Sequence, residues 1–215
     1  MNSDPFINAI RIINHRRPME QEPETWPAVP PGELEDYVDV SIPKEGLSST
    51  EVMDHLESLL QHAPVTTGPT FFNQLYGGRI DASTAADMLA SFLNESMYTY
   101  KVAGIQALIE REVIGKMLSF VGFEDGEGTL APGGSISNLV ATIVARNEAA
   151  PEVRNTGMDG RRYTMYTSDQ SHYSIPKNAG IVGIGRENVR VIPTDETGHM
   201  RVDALEETLA ADRDA

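Results

Sequence analysis

Residues 161–194 read RRYTMYTSDQSHYSIPKNAGIVGIGRENVRVIPT and carry the clearest sign of the fold class. The run begins with RRYTMYTS and ends with NVRVIPT, both rich in aromatic and β-branched residues, so each predicts a strand. SIPKNAGIVGIG lies between them and predicts a short helix, because proline is tolerated in a first helical turn. RVDALEETLAADRD then predicts another helix. This alternation of strands and helices is typical of an α/β domain with a parallel sheet.

The chain before residue 161 is predicted to be mainly helical. SSTEVMDHLESLLQHA, STAADMLASFLNESM and the run from Ile105 to Val121 carry apolar residues at helical spacing. A further helix is predicted at about 138–148. Residues 1–48 hold a short amphipathic piece and a segment with prolines at 18, 23, 27, 30 and 31, which exclude a continuous helix. We therefore expect an N-terminal arm and linker over 1–48 and an α/β domain over 49–215.

Composition narrows the class of protein. The chain has 215 residues, 32 acidic against 17 basic, and a formal net charge of −15. This charge argues against nucleic acid or an anionic membrane surface as the main partner. No cysteine is present, which excludes disulfides, a thiolate nucleophile and cysteine-based metal sites. Without a secretory signal pattern or a run long enough to span a bilayer, we expect a cytoplasmic protein. Four histidines lack a metal-ligand spacing, so no metal site is expected: His15, His55, His62 and His199.

A second informative stretch is TLAPGGSISNLVATIVARNEAA, residues 129–150. Two glycines and two serines stand directly before an apolar run. Glycine lets a backbone approach a ligand closely, and the free N–H groups at a helix start attract anions. Ser135, Ser137 and Asn138 add side-chain donors. PGGSISN therefore indicates an anion site, and the alternative of a serine-capped helix after a turn stays open.

His172 lies in the polar loop that follows the first predicted strand, within TSDQSHYSIPKNAG. Open α/β sheets bind ligands at the carboxyl ends of their strands. His172 is therefore a candidate to stack on a flat cofactor or to move a proton. The alternative is a loop histidine satisfied by local hydrogen bonds.

The aromatic loop PTFFNQLYGG also has two interpretations. Its paired phenylalanines and its Asn-Gln pair are suited to lining a pocket. More often such a run anchors its aromatic side chains in a core. The residues alone leave both interpretations open.

Six runs in chain order carry a family resemblance: FFNQL (71–75), NESMYTYKVA (94–103), IEREVIGKM (109–117), PGGSISNLVATIVAR (132–146), TSDQSHYSIPKNAG (167–180) and GIGRENVRVIPTDETGHM (183–200). Together they resemble the group II pyridoxal-phosphate-dependent amino-acid decarboxylases. The resemblance implies an α/β fold: an incomplete large domain of a fold-type-I pyridoxal-phosphate-dependent transferase. Helices would flank its parallel or mixed sheet, and a helical N-terminal segment would precede it.

The resemblance also implies a cofactor, pyridoxal 5'-phosphate, and roles for particular residues. The phosphate would be held at a helix start by Gly134, Ser135, Ile136, Ser137 and Asn138. His172 would stack on the pyridine ring and help to protonate the intermediate, as the catalytic residue. Phe72, Asn73 and Gln74 match the part of the glutamate-type enzymes that faces the distal acidic group of the substrate.

The chain departs from the family pattern: the loop GPTFFNQL lacks the histidine-proline often found at its start, and two downstream family residues are missing. The family's Schiff-base lysine follows a histidine downstream of the His172 loop, and the aspartate that pairs with the pyridine nitrogen also lies downstream. The lysines here are Lys44, Lys101, Lys116 and Lys177, and none follows a histidine. Lys177 is not expected to replace the missing lysine. We therefore expect the chain to be the N-terminal part of the large domain, truncated before that lysine.

Two functions follow as expectations. The first is decarboxylation of a small amino acid, an acidic one such as glutamate, aspartate or cysteine sulfinate, as part of a longer homodimeric enzyme. The alternative is a non-catalytic remnant, or half of a split enzyme, that binds cofactor phosphate or a complementary C-terminal half without turnover.

Overall fold

A computed structural model describes residues 4–22, 29–30, 32–73, 75, 77–123 and 125–214. Contacts divide the chain into two compact units, Met1–Ala103 and Gly104–Ala215. Each unit is described on its own.

The described part of the first unit is helical. Its α-helices are α1 (Pro5–Arg16), α2 (Ser49–His62), α3 (Asp81–Leu93) and α4 (Tyr100–Ala103), and short 3-10 helices cover Arg17–Gln21 and Leu34–Asp36. The predicted helices at α2 and α3 are confirmed. Part of the proline-rich segment, residues 23–28 and 31, lies outside the described residues.

Polar contacts join α1 to α2. Arg11 pairs with Glu57 at 3.1 Å. Arg16 donates to the carbonyl groups at the end of α2, to Leu60 and, at 2.6 Å, to Ala63. The Leu60 carbonyl also accepts the backbone N–H of Ala63 at 3.4 Å, so the guanidinium adds to the cap at the end of α2. The expected boundary between residues 48 and 49 stays a prediction, and these contacts link residues on its two sides.

The second unit holds the sheet. Its elements are α5 (Ile105–Phe120), α6 (Gly134–Ala149), α7 (Val153–Thr156), β1 (Met165–Ser168), α8 (Ser174–Ile181), a 3-10 helix (Arg186–Asn188), β2 (Val189–Ile192) and α9 (Val202–Asp214). The strands are parallel, and their register pairs Met165 with Val189 and Ser168 with Ile192. The predicted strand–helix–strand–helix order and the parallel pairing are thus confirmed. The two strands end at the same edge of the sheet, from which the loop bearing His172 leaves.

A small apolar core lies where α8 packs beside the sheet. Ala179, Val182 and Ile184 are buried there. Leu139, Ile143, Met158, Tyr163, Met165 and Val189 pack around them. Because Leu139 and Ile143 belong to α6, burial of this core fixes α6 against α8. No helix among the residues described here combines the length and the apolar content needed to cross a membrane.

An ion pair and a hydrogen bond join α9 to the two strands. The Asp212 carboxylate accepts hydrogen bonds from the Tyr166 hydroxyl of β1 at 2.7 Å and from the Arg190 guanidinium of β2 at 2.9 Å. Arg190 and then Tyr166 lower the pKa of Asp212, and the Asp212 carboxylate raises the pKa of Tyr166. Both shifts mean that the charged carboxylate is favoured in the folded unit.

The Asp212→Asn variant should therefore be less stable than the wild type at neutral pH, and its stability should depend less on pH. The pKa of Asp212 lies below its ordinary value of 3.8 in the folded protein, so the carboxylate stabilises the fold above that pH. The stabilisation is lost as the pH falls through the lowered value. Urea unfolding of both proteins from neutral to acidic pH measures the difference. Glu206→Gln removes an exposed charge from the same helix and is the control; an equal loss in the control would contradict the role of the pair.

Candidate cofactor-binding site

The start of α6 presents backbone donors. Gly133 has φ of 93° and ψ of 159°, a conformation that favours glycine and turns the chain into the helix. Its carbonyl accepts the N–H groups of Ile136 and Ser137, both at 3.1 Å. The N–H groups of Gly134 and Ser135 have no hydrogen-bond partner among the described residues. The free backbone donors are therefore those of Gly134 and Ser135, and the N–H of Ile136 is engaged.

The helix begins earlier than its residue types predict, at Gly134 rather than at about 138. Glycine and serine are weak helix formers, which placed the predicted start too late. The buried Asn178 side chain of α8 donates to the carbonyl of Ser135 at 3.1 Å and holds this first turn. A tertiary contact thus outweighs local propensity.

The serines do not cap the helix. No side chain makes a capping hydrogen bond at the start of α6. The Ser137 hydroxyl donates back to the Gly133 carbonyl at 3.3 Å, and the Ser135 hydroxyl has no partner in the described part of the chain. The serine-capped alternative therefore does not describe this turn. Its open donors remain available to a ligand.

A hydrogen-bonded chain connects this helix to His172. The Asn138 amide donates to the Ser174 hydroxyl at 2.8 Å, and that hydroxyl lies 2.8 Å from Nδ1 of His172. The backbone N–H of Ser174 also donates to Nδ1, at 3.2 Å. Ser174 is only 1% exposed. The structure thus brings together the two regions that the sequence separates by more than thirty residues.

The His172 ring contacts an aromatic neighbour. The centroid of Tyr173 lies 4.1 Å from that of His172, with 35° between the ring planes. The Lys177 ammonium lies 4.3 Å from the Tyr173 centroid, which is a cation–π distance. Lys177 therefore has a local partner on the outer face of α8.

Sequence reasoning missed Asn178 and gave Ser174 no role beyond flanking His172. The signal was their spacing: Ser174 and Asn178 are four residues apart and so share one face of α8. That face also carries buried Ala179 and Val182 nearby. Polar side chains beside a buried helical stripe need partners, and these two find them on α6.

The residues at this site fit a phosphate group. The first turn of α6 contains no acidic residue, and sixteen residues of helix direct a positive dipole end toward it. A side chain built at Gly134 would meet nothing within 4 Å, so the space beside this residue is open. Charge, donors and space agree with an anion bound at this turn.

A separate cavity of about 440 Å³ lies along the next turn of α6. Its described lining consists of Glu127, Gly128, Thr129, Ala131, Ser137, Val140 and Ala141. This set includes a carboxylate and neither Ser135 nor His172, so the cavity is not the candidate phosphate site. No group of three or more potential metal ligands occurs among the residues that the structure describes.

The aromatic loop belongs to the first unit. Phe72 is 91% exposed, so it does not anchor the loop in a core. The Asn73 side chain accepts the N–H of Leu75 at 2.8 Å and shapes the turn. Gln74, the third predicted substrate contact, lies outside the described residues. The substrate role of this loop stays a prediction.

Comparison with known proteins identifies the family. The model of the pyridoxal-dependent decarboxylase conserved domain matches residues 31–215. The chain is 36% identical over 177 residues to the acidic amino acid decarboxylase GADL1 of Xenopus tropicalis, covering 82% of this chain and 35% of that protein. It is 35% identical over 177 residues to the cysteine sulfinic acid decarboxylase of Mus musculus, with 82% and 36% covered.

The fold agrees with this assignment. The crystal structure of mouse CSAD matches with a TM-score of 0.91 and 30% identity, over 98% of this chain and 45% of that one. The likeness confirms the expected α/β fold of type I. The chain spans about a third of the length of the two curated relatives and less than half of the solved structure. This chain belongs to the pyridoxal-dependent decarboxylase family, whose cofactor is pyridoxal phosphate.

Proposed function

We propose that this chain holds the phosphate of pyridoxal phosphate at the start of α6 and stacks His172 on its ring, within a decarboxylase of an acidic amino acid. The observation that carries the proposal is the continuous link from the open turn of α6 through Asn138 and Ser174 to His172. It connects an anion site to a flat, titratable ring, and the cofactor offers both an anion and a flat ring.

The phosphate end is assigned to backbone and hydroxyl donors. Gly134 and Ser135 contribute two N–H groups, and Ser135 adds its hydroxyl. A dianion is favoured by several aligned donors and by the positive end of a helix. Asn138 is assigned a supporting role, because one of its amide hydrogens is already donated to Ser174. Ile136 contributes to the shape of the turn.

The ring end is assigned to His172. The bound cofactor supplies an electron sink for the charge left when carbon dioxide departs, and the protein supplies orientation and protons. A neutral imidazole has a flat face for stacking and one nitrogen that carries a proton. In this chain Nδ1 accepts a backbone N–H, so the proton of neutral His172 is held at Nε2.

The proposed substrate class is supported by the similar proteins and by one loop of this chain. The similar proteins include an acidic amino acid decarboxylase and a cysteine sulfinic acid decarboxylase. Phe72 and Asn73 lie exposed in one loop. By sequence this loop carries the side-chain amides of Asn73 and Gln74, which are donors of the kind that bind a distal carboxylate or sulfinate. We further propose that the enzyme is a homodimer. The exposed apolar rings of Phe6 and Phe92, which contact each other edge to face, support an interface on the first unit.

A second candidate function is cofactor or partner binding without turnover. None of the four lysines follows a histidine, and the Lys177 ammonium lies over the Tyr173 ring. The Schiff-base lysine of the family therefore has no counterpart by residue pattern in this chain. A complementary chain that carries the lysine would combine the two functions.

Ligand binding to the full chain tests the phosphate site. We expect pyridoxal phosphate to bind at least about tenfold more tightly than pyridoxal, which lacks the phosphate, because several charge-assisted hydrogen bonds would be lost. Inorganic phosphate should compete with the cofactor. Equilibrium dialysis measures both effects. Equal binding of the two aldehydes, with no competition, would overturn the proposed phosphate site.

Turnover separates the two candidate functions. Release of labelled carbon dioxide from carboxyl-labelled glutamate, aspartate and cysteine sulfinate is measured with the same protein, together with borohydride fixation of the cofactor. With this chain alone we expect binding without release and without a stoichiometric fixed adduct. Release together with one fixed lysine would show that the chain is catalytic by itself and would exclude the binding-only function.

A further inference from the structure

The groups around His172 bear on its tautomer as well as on its position. Two groups of Ser174 contact Nδ1 of His172, the backbone N–H at 3.2 Å and the hydroxyl oxygen at 2.8 Å. A backbone N–H can only donate, so Nδ1 must offer its lone pair. A neutral imidazole has one nitrogen of each kind, and its proton is therefore on Nε2.

The hydroxyl of Ser174 has a defined direction. The Asn138 amide donates to its oxygen at 2.8 Å. The amide hydrogen occupies a lone pair of that oxygen, which leaves the hydroxyl proton free to point at His172. Ser174 is buried, so water does not compete for this proton. With Nδ1 as an acceptor, donation runs from Asn138 to Ser174 and on to His172, where the hydroxyl shares the single lone pair of Nδ1 with the Ser174 N–H.

We propose that Ser174 is a positioning residue that keeps His172 in its Nε2–H tautomer, and that Asn138 sets the direction of the Ser174 hydroxyl. The consequence for proton transfer rests on the proposed function, whereas the tautomer itself does not. A ring locked in this form keeps its proton at the nitrogen remote from Ser174. The start of α6 and the imidazole ring are thereby coupled through the side chains of Asn138 and Ser174.

Nitrogen-15 NMR of the histidine rings in the full chain tests this inference without any cofactor. The five histidines are assigned with the help of His172→Gln, and spectra are recorded at alkaline pH, where the rings are neutral. In the wild type, Nδ1 of His172 should resonate as an unprotonated acceptor nitrogen and Nε2 as a protonated one. A wild-type ring with its proton on Nδ1 would overturn the proposal.

Three variants examine the links of the chain. Ser174→Ala should lower the ratio of Nε2–H to Nδ1–H tautomers about fivefold, the change that loss of one net hydrogen bond produces. Ser174→Thr keeps the hydroxyl and should restore the wild-type ratio. Asn138→Asp exchanges a donor for an acceptor of the same shape, which turns the Ser174 hydroxyl away from the ring, so the ratio should fall here too.

Ser171→Ala is the matched control. It removes a hydroxyl from the same loop, but that hydroxyl bonds with Ser168, at 3.0 Å from its oxygen, and the His172 spectrum should not change. If Ser174→Ala does not fold, the tautomer ratio of Asn138→Asp tests the proposal instead, because Asn138 is less buried than Ser174 and aspartate has the same shape as asparagine. An unchanged ratio in a folded variant would refute the positioning role. Failure to bind pyridoxal phosphate would refute the proposed function and leave this result standing.

Discussion

The Gly134→Asp variant should lose affinity for pyridoxal phosphate by more than about a hundredfold while it remains folded. At an effective dielectric constant of about 20, a carboxylate about 5 Å from a unit negative charge is repelled by about 3 kcal/mol. That energy corresponds to more than a hundredfold in affinity. The same carboxylate is favourable for the helix, because it stands at the positive end of α6.

A substitution at position 134 tests phosphate binding with less effect on folding than a substitution at position 133. Gly133 has a positive φ, so any side chain there strains the backbone. Gly134 does not have a positive φ, and a side chain at this position would meet open space. Gly134→Asn is the matched control, since it adds the same shape without the charge. Equilibrium dialysis measures binding and urea unfolding measures stability. Equal affinity in the Asp and Asn variants would show that no phosphate binds here.

The Ile192→Ala variant should lower the free energy of unfolding by about 3 kcal/mol, the typical result of removing a buried aliphatic side chain. Ile192 ends β2 and is only 1% exposed. Its replacement leaves a cavity that the small core of the second unit has few side chains to fill. A loss of this size is a large part of the stability of an ordinary domain.

Val191→Ala supplies the control from the same strand. Successive strand residues face opposite sides, and Val191 is 61% exposed, so its truncation should change stability by less than about 0.5 kcal/mol. Urea unfolding monitored by circular dichroism measures both variants. Similar losses for the two residues would contradict the burial of Ile192 and the exposure of Val191.

The sequence predicts the elements of the second unit well because their signals are local. β1, α8 and β2 follow from residue types and spacing within the runs that form them. The start of α6 does not, because a contact from Asn178, which is distant in the chain, holds a turn that its own residues disfavour. Local patterns contain no information about such a partner.

Some parts of the candidate site can likewise be predicted from the sequence, and others cannot. Ser135 and His172 are each recognisable from their own surroundings, a glycine-rich turn and a loop after a strand. The link between them is not, since Asn138 and Ser174 lie 36 residues apart and meet only when α6 packs on α8. For Phe72, Asn73 and Gln74 the residue types allow two interpretations, and only family resemblance favours one.

The packing of α6 on α8 has a practical consequence for protein engineering. α6 begins with the turn that is proposed to bind the phosphate, and α8 follows the loop that carries His172. Hydrogen bonds from side-chain amide and hydroxyl groups join the two helices. A graft of the glycine-rich turn alone into another scaffold would lose the spacing between the phosphate-binding turn and the His172 ring. The smallest transplantable unit is therefore the helix pair with the loop that precedes its second member.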